Sequence, residues 1–264
     1  MINYKLKVSN LKKSINFYKE LGFNIEEVEI SQVIARFLDC SLFLYTGEFQ
    51  SRDDNFVIET LSYKTRIYIN CNEDLFNEIV NKENFLKYTK ESLSFEWKSV
   101  FEVVDLDGYI LQFICVRQLE DQRILDLYHD SIKIVNELKK TIVDWDYMQN
   151  NGWTIKQELF HLIEEDLCSL ASLRMNITSP GQIFNTNVFD HDQRLGNLPI
   201  NELSITYVLD IFINIRLHML EILNNGDYMN NYIIVSNKKV YLRNQLQSLA
   251  THSLEHLENI RNFI

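Results

Sequence analysis

His252 and His256 stand four residues apart in "LATHSLEHLENI", towards the C-terminal end of the chain. At 100° per residue both fall within about 60° of Leu249, on the apolar side of an amphipathic helix. An (i, i+4) pair on one helical face lets two imidazoles share a metal ion. Without a shared ion, two buried neutral rings would each need a partner of their own. A third candidate ligand is His161 in "ELFHLIEED", at the margin of a stripe made by Trp153, Phe160, Leu167 and Ala171. Glu164 lies three residues further on and leans the same way. It reads as a general base, or as the carboxylate that orients a metal-bound imidazole. Arg216 interrupts the apolar run "INIRLHML". It reads either as a clamp for an acidic group of a substrate or as a salt-bridged arginine. Three neutral nitrogen ligands with a position left open describe a catalytic metal centre. His129, His191 and His218 read as solvated or structural positions.

Two kinds of element must position these residues. From about residue 118 onward the pattern is helical, with apolar residues every three or four positions. The helices are "LEDQRILDLYHDSIKIVNELKKTIVDW", "TIKQELFHLIEEDLCSLASLRMN", "ELSITYVLDIFINIRLHMLEILNN" and "VYLRNQLQSLATHSLEHLENIRNFI". Helices of this length predict a four-helix bundle. Residues 176–203, which hold Pro180 and Pro199, form the long connection between the second and third.

Residues 1–117 alternate instead. "INYKLKV" predicts a strand and "NLKKSINFYKELGF" a helix, with Asn10 as N-cap and Gly22 at its C-terminal end. "NIEEVEI", "VIARFLD" and "SLFLYTG" follow as strands. The order then restarts with "TRIYINC", the helix "NEDLFNEIVNK", and the strands "SFEWK", "SVFEVVD" and "GYILQFICV". The expected fold class is therefore an α+β domain of two βαβββ units over 1–117, followed by an all-α four-helix bundle over 118–264.

Bulk properties narrow the function. A net charge of −11 disfavours a nucleic-acid partner, since phosphate binding needs a basic surface. No apolar run reaches the length of a membrane span. "MINYKLKVSN" lacks the apolar core of a signal peptide, so a cytoplasmic protein is expected. Cys40, Cys71, Cys115 and Cys168 show no CxxC spacing and read as free thiols.

"WTIKQELFHLIEED" and "ATHSLEHLENI" together resemble the DinB-like superfamily of four-helix bundles over about residues 120–264. That resemblance implies a divalent metal (zinc, nickel or iron) on His161, His252 and His256. It also implies a low-molecular-weight-thiol transferase or a hydrolase acting in detoxification. "KLKVSNLKKSINFYKELGF" and "DLDGYILQF" resemble the vicinal oxygen chelate superfamily of glyoxalase and bleomycin-resistance proteins, over about 1–117. The family's metal positions here read Asn3, Arg66 and Gln112, a set that does not suit a cation. The resemblance then implies a ligand-binding cup, lined from Phe37, Phe43, Tyr45, Tyr68 and Trp97, or a dimerisation module. The expected partners are a small-molecule substrate, a thiol cosubstrate and a second copy of the chain, with neither nucleic acid nor membrane. The competing reading is a non-catalytic protein that sequesters a drug or toxin in that cup.

Overall fold

Alternation of apolar and polar side chains draws the first half of the chain into strands, and each strand buries one row of residues. In the computed structural model, the described residues are 2–29, 32–38, 40–46, 59–60, 66–82, 89–142, 144–149, 152–185 and 198–262. His191 falls outside them. The chain divides into two compact units, Met1–Gln118 and Leu119–Ile264.

The first unit opens with β1 (Ile2–Lys7), α1 (Leu11–Leu21), β2 (Asn24–Glu29), β3 (Gln32–Phe37) and β4 (Cys40–Tyr45), followed by the short β5 (Glu59–Thr60). A second run follows as β6 (Arg66–Cys71), α2 (Glu73–Val80), β7 (Thr89–Ser94), β8 (Lys98–Val104) and β9 (Ile110–Val116). The sheets are ordered β2-β3-β4-β1-β5 and β6-β9-β8-β7. In both, the strand before the helix pairs in parallel with the last strand of its run, β1 with β4 and β6 with β9. The two βαβββ runs thus share one topology although their sequences differ. One expected strand is misplaced: β7 ends at Ser94, and Phe95–Lys98 makes the turn in which Phe95 N–H bonds the Lys98 carbonyl at 2.7 Å.

Local chemistry sets the helix ends. Asn10 accepts from Lys13 N–H at 3.0 Å, and Asn72 accepts from Leu75 N–H at 3.0 Å. Gly22 closes α1 at φ 100°. A Cβ there would stand 3.3 Å from the Phe37 ring. The core joins Leu6, Leu42 and Leu44 of the first run to Ile67, Leu111 and Phe113 of the second. The Phe37 and Phe113 rings meet in it at 5.9 Å. Phe37 therefore packs the core and does not line a cup. The "DLDGY" turn is a clasp between the runs. Buried Asp105 accepts from the Asp107 and Tyr109 N–H groups and from the Tyr18 hydroxyl at 2.7 Å. Burial pushes the Asp105 carboxyl above its usual range.

All four cysteines are free. Burial pushes the Cys40 thiol up to about 12 and the Cys71 thiol up to about 11, so neither is a thiolate at neutral pH.

The second unit holds α3 (Asp121–Thr141), α4 (Ile155–Thr178), α5 (Ile205–Leu223) and α6 (Leu242–Arg261). Thr154 and Gln157 form a reciprocal capping box at the start of α4. α3 packs on α5 and α6, and so does α4. The diagonal pairs are therefore α3 with α4 and α5 with α6, and α4 meets α6 directly. A hairpin of β10 (Tyr232–Val235) and β11 (Lys238–Tyr241) precedes α6, in a stretch between the third and fourth expected helices, and takes Val240 and Tyr241 from the start of the fourth. Its turn places Ser236 and Asn237 at positive φ, the geometry of a tight two-residue hairpin. No helix among the described residues is long and apolar enough to cross a membrane.

Candidate metal centre

The buried face of α4 is not the apolar stripe expected from Trp153, Phe160, Leu167 and Ala171. Leu167 is 45% exposed, whereas Glu158, Asp166 and Asn176 are buried. A helix buries polar groups only where they find partners. Those partners come chiefly from α5 and α6, and they organise the candidate site.

His161 projects from α4 towards α6, where His252 and His256 stand one turn apart. Ligand atoms from the three rings all lie within 4.8 Å of one another. His161 Nε2 faces His252 Nε2 at 3.0 Å. The ring centroids are 5.2 Å apart for His161 and each partner, and 4.5 Å apart for His252 and His256. With metal–nitrogen bonds of roughly 2.0–2.1 Å, two tetrahedral ligands sit about 3.3 Å apart, close to the 3.0 Å between His161 and His252. Among the described residues, this is the group of His, Cys, Asp and Glu side chains that could hold a metal ion. His161 is buried against the edge of Trp153, with centroids 5.3 Å apart. His252 and His256 are partly exposed, which leaves the cluster open on one side.

A carboxylate fixes the third ring. Glu158 is fully buried, and its Oε1 lies 2.6 Å from His256 Nδ1. Its second oxygen accepts from the Gln149 side-chain amide. An ionised carboxylate is an acceptor only, so it selects the tautomer with hydrogen on Nδ1. The Nε2 lone pair of His256 is then left for a metal. Replacing Glu158 by Ala is expected to weaken metal affinity by about 10–100-fold, as loss of such an orienting carboxylate does elsewhere. Competition titration with a chromophoric chelator measures this directly.

The sequence reading assigned this orienting role to Glu164. For His256 it falls to Glu158, six residues earlier, while Glu164 is half-buried. Arg216 is also corrected as a substrate clamp. It is 0% exposed, and its guanidinium grips Asp166 with two bonds of 2.7 and 2.8 Å. No substrate can reach it without opening the bundle core. His129 and His218 are exposed. Glu158, Gln149 and Asp166 were not singled out from sequence. Only the (i, i+3) spacing of Glu158 and His161 hinted at one of them.

In the first unit, two of the family-aligned positions turn onto a third residue. Arg66 Nε and Gln112 Nε2 each donate to Glu102 Oε1 at 2.7 Å. Glu102 is 1% exposed, and its Oε2 is buried with no hydrogen-bond partner among the described residues. Asn3 lies on β1 opposite Ser41. Tyr68 shares the sheet face of Gln112 and Arg66 and is 51% exposed.

No family model matches the chain, and no curated protein matches it. Among solved structures, it is similar to YfiT from Bacillus subtilis, described as a probable metal-dependent hydrolase with an unusual four-helix bundle topology. Identity is 14%, with 56% of this chain and 87% of that one covered, at a TM-score of 0.48. It is also similar to a glyoxalase/dioxygenase from Nostoc punctiforme, at 18% identity, 44% and 89% coverage and a TM-score of 0.34. A bleomycin resistance determinant encoded on transposon Tn5 is similar at 16% identity, 44% and 98% coverage and a TM-score of 0.32. The chain is thus similar to a four-helix-bundle protein and, separately, to glyoxalase and bleomycin-resistance proteins, the two kinds of fold that its sequence resembles.

Proposed function

We propose that the protein is a metal-dependent enzyme acting on a small molecule, with its chemistry in the helical unit. The observation that carries this reading is the convergence of His161, His252 and His256, with Glu158 buried behind one of them. These residues would hold a divalent cation such as zinc, nickel or iron. When bound, such a cation supplies Lewis acidity and lowers the pKa of a coordinated water or thiol. The chain's own residues do the rest. Glu158 holds the Nδ1 proton of His256 and fixes that ring's direction. Trp153 and the burial of His161 restrict water on one side. The partly exposed faces of His252 and His256 leave room for a substrate. The activated group is a water in a hydrolase or a low-molecular-weight thiol in a transferase.

The test is metal analysis of the purified chain, followed by activity screens with and without chelator, against ester and amide substrates and against electrophiles with added thiol. About one equivalent of metal, and turnover lost on chelation and restored by metal, is the expected result. Metal-free protein with unchanged turnover would overturn it.

One observation favours a second, compatible activity. The partnerless Glu102 Oε2 supports binding of a small ligand with an N–H donor by the first unit, reached when the partly exposed Arg66 side chain swings aside. Glu102→Gln is expected to weaken binding of a cationic aromatic probe by about tenfold or more, since a buried charged hydrogen bond carries roughly 1.5–3 kcal/mol. Calorimetry checks this, and equal affinities for the two proteins would remove the reading.

A further inference from the structure

One guanidinium binds to all the other helices of the bundle beside the imidazoles. Arg216 leaves α5 and is fully buried between the rings of Tyr128 and Phe212, 4.4 and 4.2 Å from their centroids. Its Nε and Nη2 hold Asp166 of α4. Its Nη1 donates to Ser131 of α3 at 2.6 Å. Its Nη2 also reaches α6, donating to Ser253 Oγ at 2.5 Å and to the Leu249 carbonyl at 3.5 Å. A buried ion pair is weak as a source of stability, because desolvation offsets most of the attraction. Its geometry, by contrast, is strict: a planar fork accepts its carboxylate in one orientation.

The placement of this fork is informative. Asp166 is five residues from His161 on α4, about 7.5 Å of helical rise. Ser253 adjoins His252 on α6, and Leu249 is one turn before it. The anchors therefore sit on the two helices that carry the imidazoles, within about two turns of them. Apolar packing alone is non-directional and tolerates sliding of α6 along α4. A slip of about one ångström would be half a metal–nitrogen bond length.

We infer that Arg216, through Asp166 and Ser253, is a positioning residue that sets the register of α6 against α4 and so the spacing of the imidazoles. This rests on the metal-binding reading above. It differs from a purely structural role in one respect: removing it while preserving the fold should change how a metal is held.

The test uses the full chain with Co(II), whose visible bands report coordination geometry. Two variants are compared with wild type, Ser253→Ala and the double change Arg216→Met with Asp166→Leu, each checked for folding by circular dichroism and thermal melting. The expected result is folded protein whose Co(II) affinity falls by about 10–100-fold in the double variant. Its visible bands change in position and intensity, and Ser253→Ala shows the same spectral change with a smaller loss of affinity. Folded variants with unchanged affinity and spectrum would overturn the inference while leaving the metal site intact. If the double variant does not fold, Ser253→Ala decides alone on the same criterion. Wild-type protein that binds no Co(II) would remove the metal reading itself, and this inference with it, a result distinct from either outcome in the variants.

Discussion

Replacing His252 or His256 by Ala is expected to remove stoichiometric metal from the purified protein and to abolish turnover. The size of the effect follows from the number of ligands. A structural zinc site with four ligands contributes roughly 10–16 kcal/mol, so one imidazole accounts for about 3–4 kcal/mol. That corresponds to about 10²–10³-fold in affinity. A site of three imidazoles has no protein ligand in reserve, so the loss falls on occupancy at ordinary metal concentrations. His252 and His256 are the cleaner probes because both are partly exposed, whereas His161 is buried against Trp153 and its truncation also leaves a void. Folding should survive at these partly exposed positions, as unchanged circular dichroism would show. The metal should also dissociate in acid, because the ligating rings must be neutral. Elemental analysis of the variants decides the matter: one equivalent retained in both would refute the triad.

How much of this centre was legible in the sequence depends on which geometry is asked for. The (i, i+4) spacing of His252 and His256 is a property of one helix, so it could be read directly. That His161 meets them is a tertiary fact, suggested by its place on a second amphipathic helix and by family resemblance. Glu158 and Glu164 show where reading stops. Each lies three residues from His161, one on either side, so helical geometry turns them about 60° in opposite directions from that ring. Which one faces His256 depends on the side from which α6 packs, and no local pattern encodes that. Arg216 stayed open between a substrate clamp and a salt-bridged arginine for a related reason, and the second is what the structure holds. An arginine in an apolar run signals a special environment, yet its partners Asp166, Ser131 and Ser253 come from three other helices. In the first unit the repeat was visible as an order of elements, because strand alternation and the Asn10 and Asn72 caps are local. The hairpin around Ser236–Asn237 was not assigned because each of its strands is only four residues long, too short for alternation to declare itself between two long helices.

Asp166→Ala is expected to destabilise the helical unit by about 3–5 kcal/mol, the range for breaking a buried ion pair by removing one partner. The direction follows from what remains. Arg216 stays charged at any accessible pH, and the pair with Asp166 raises its pKa further although burial alone would lower it. Without the carboxylate, a full positive charge is left in the core with only the hydroxyls of Ser131 and Ser253, one carbonyl and two aromatic faces around it. For a unit of this size the loss corresponds to a fall in melting temperature of about 10 °C or more. The double change Arg216→Met with Asp166→Leu removes both charges and fills the space with apolar groups, so it should be far less destabilised than Asp166→Ala alone. Thermal melts of the two proteins thus compare a core that holds an unpaired charge with one that holds none. A double variant as unstable as the single one would mean that the pair contributes net stability. Recovery of stability without recovery of the wild-type Co(II) spectrum would separate what the ion pair does for the fold from what it does for the imidazoles.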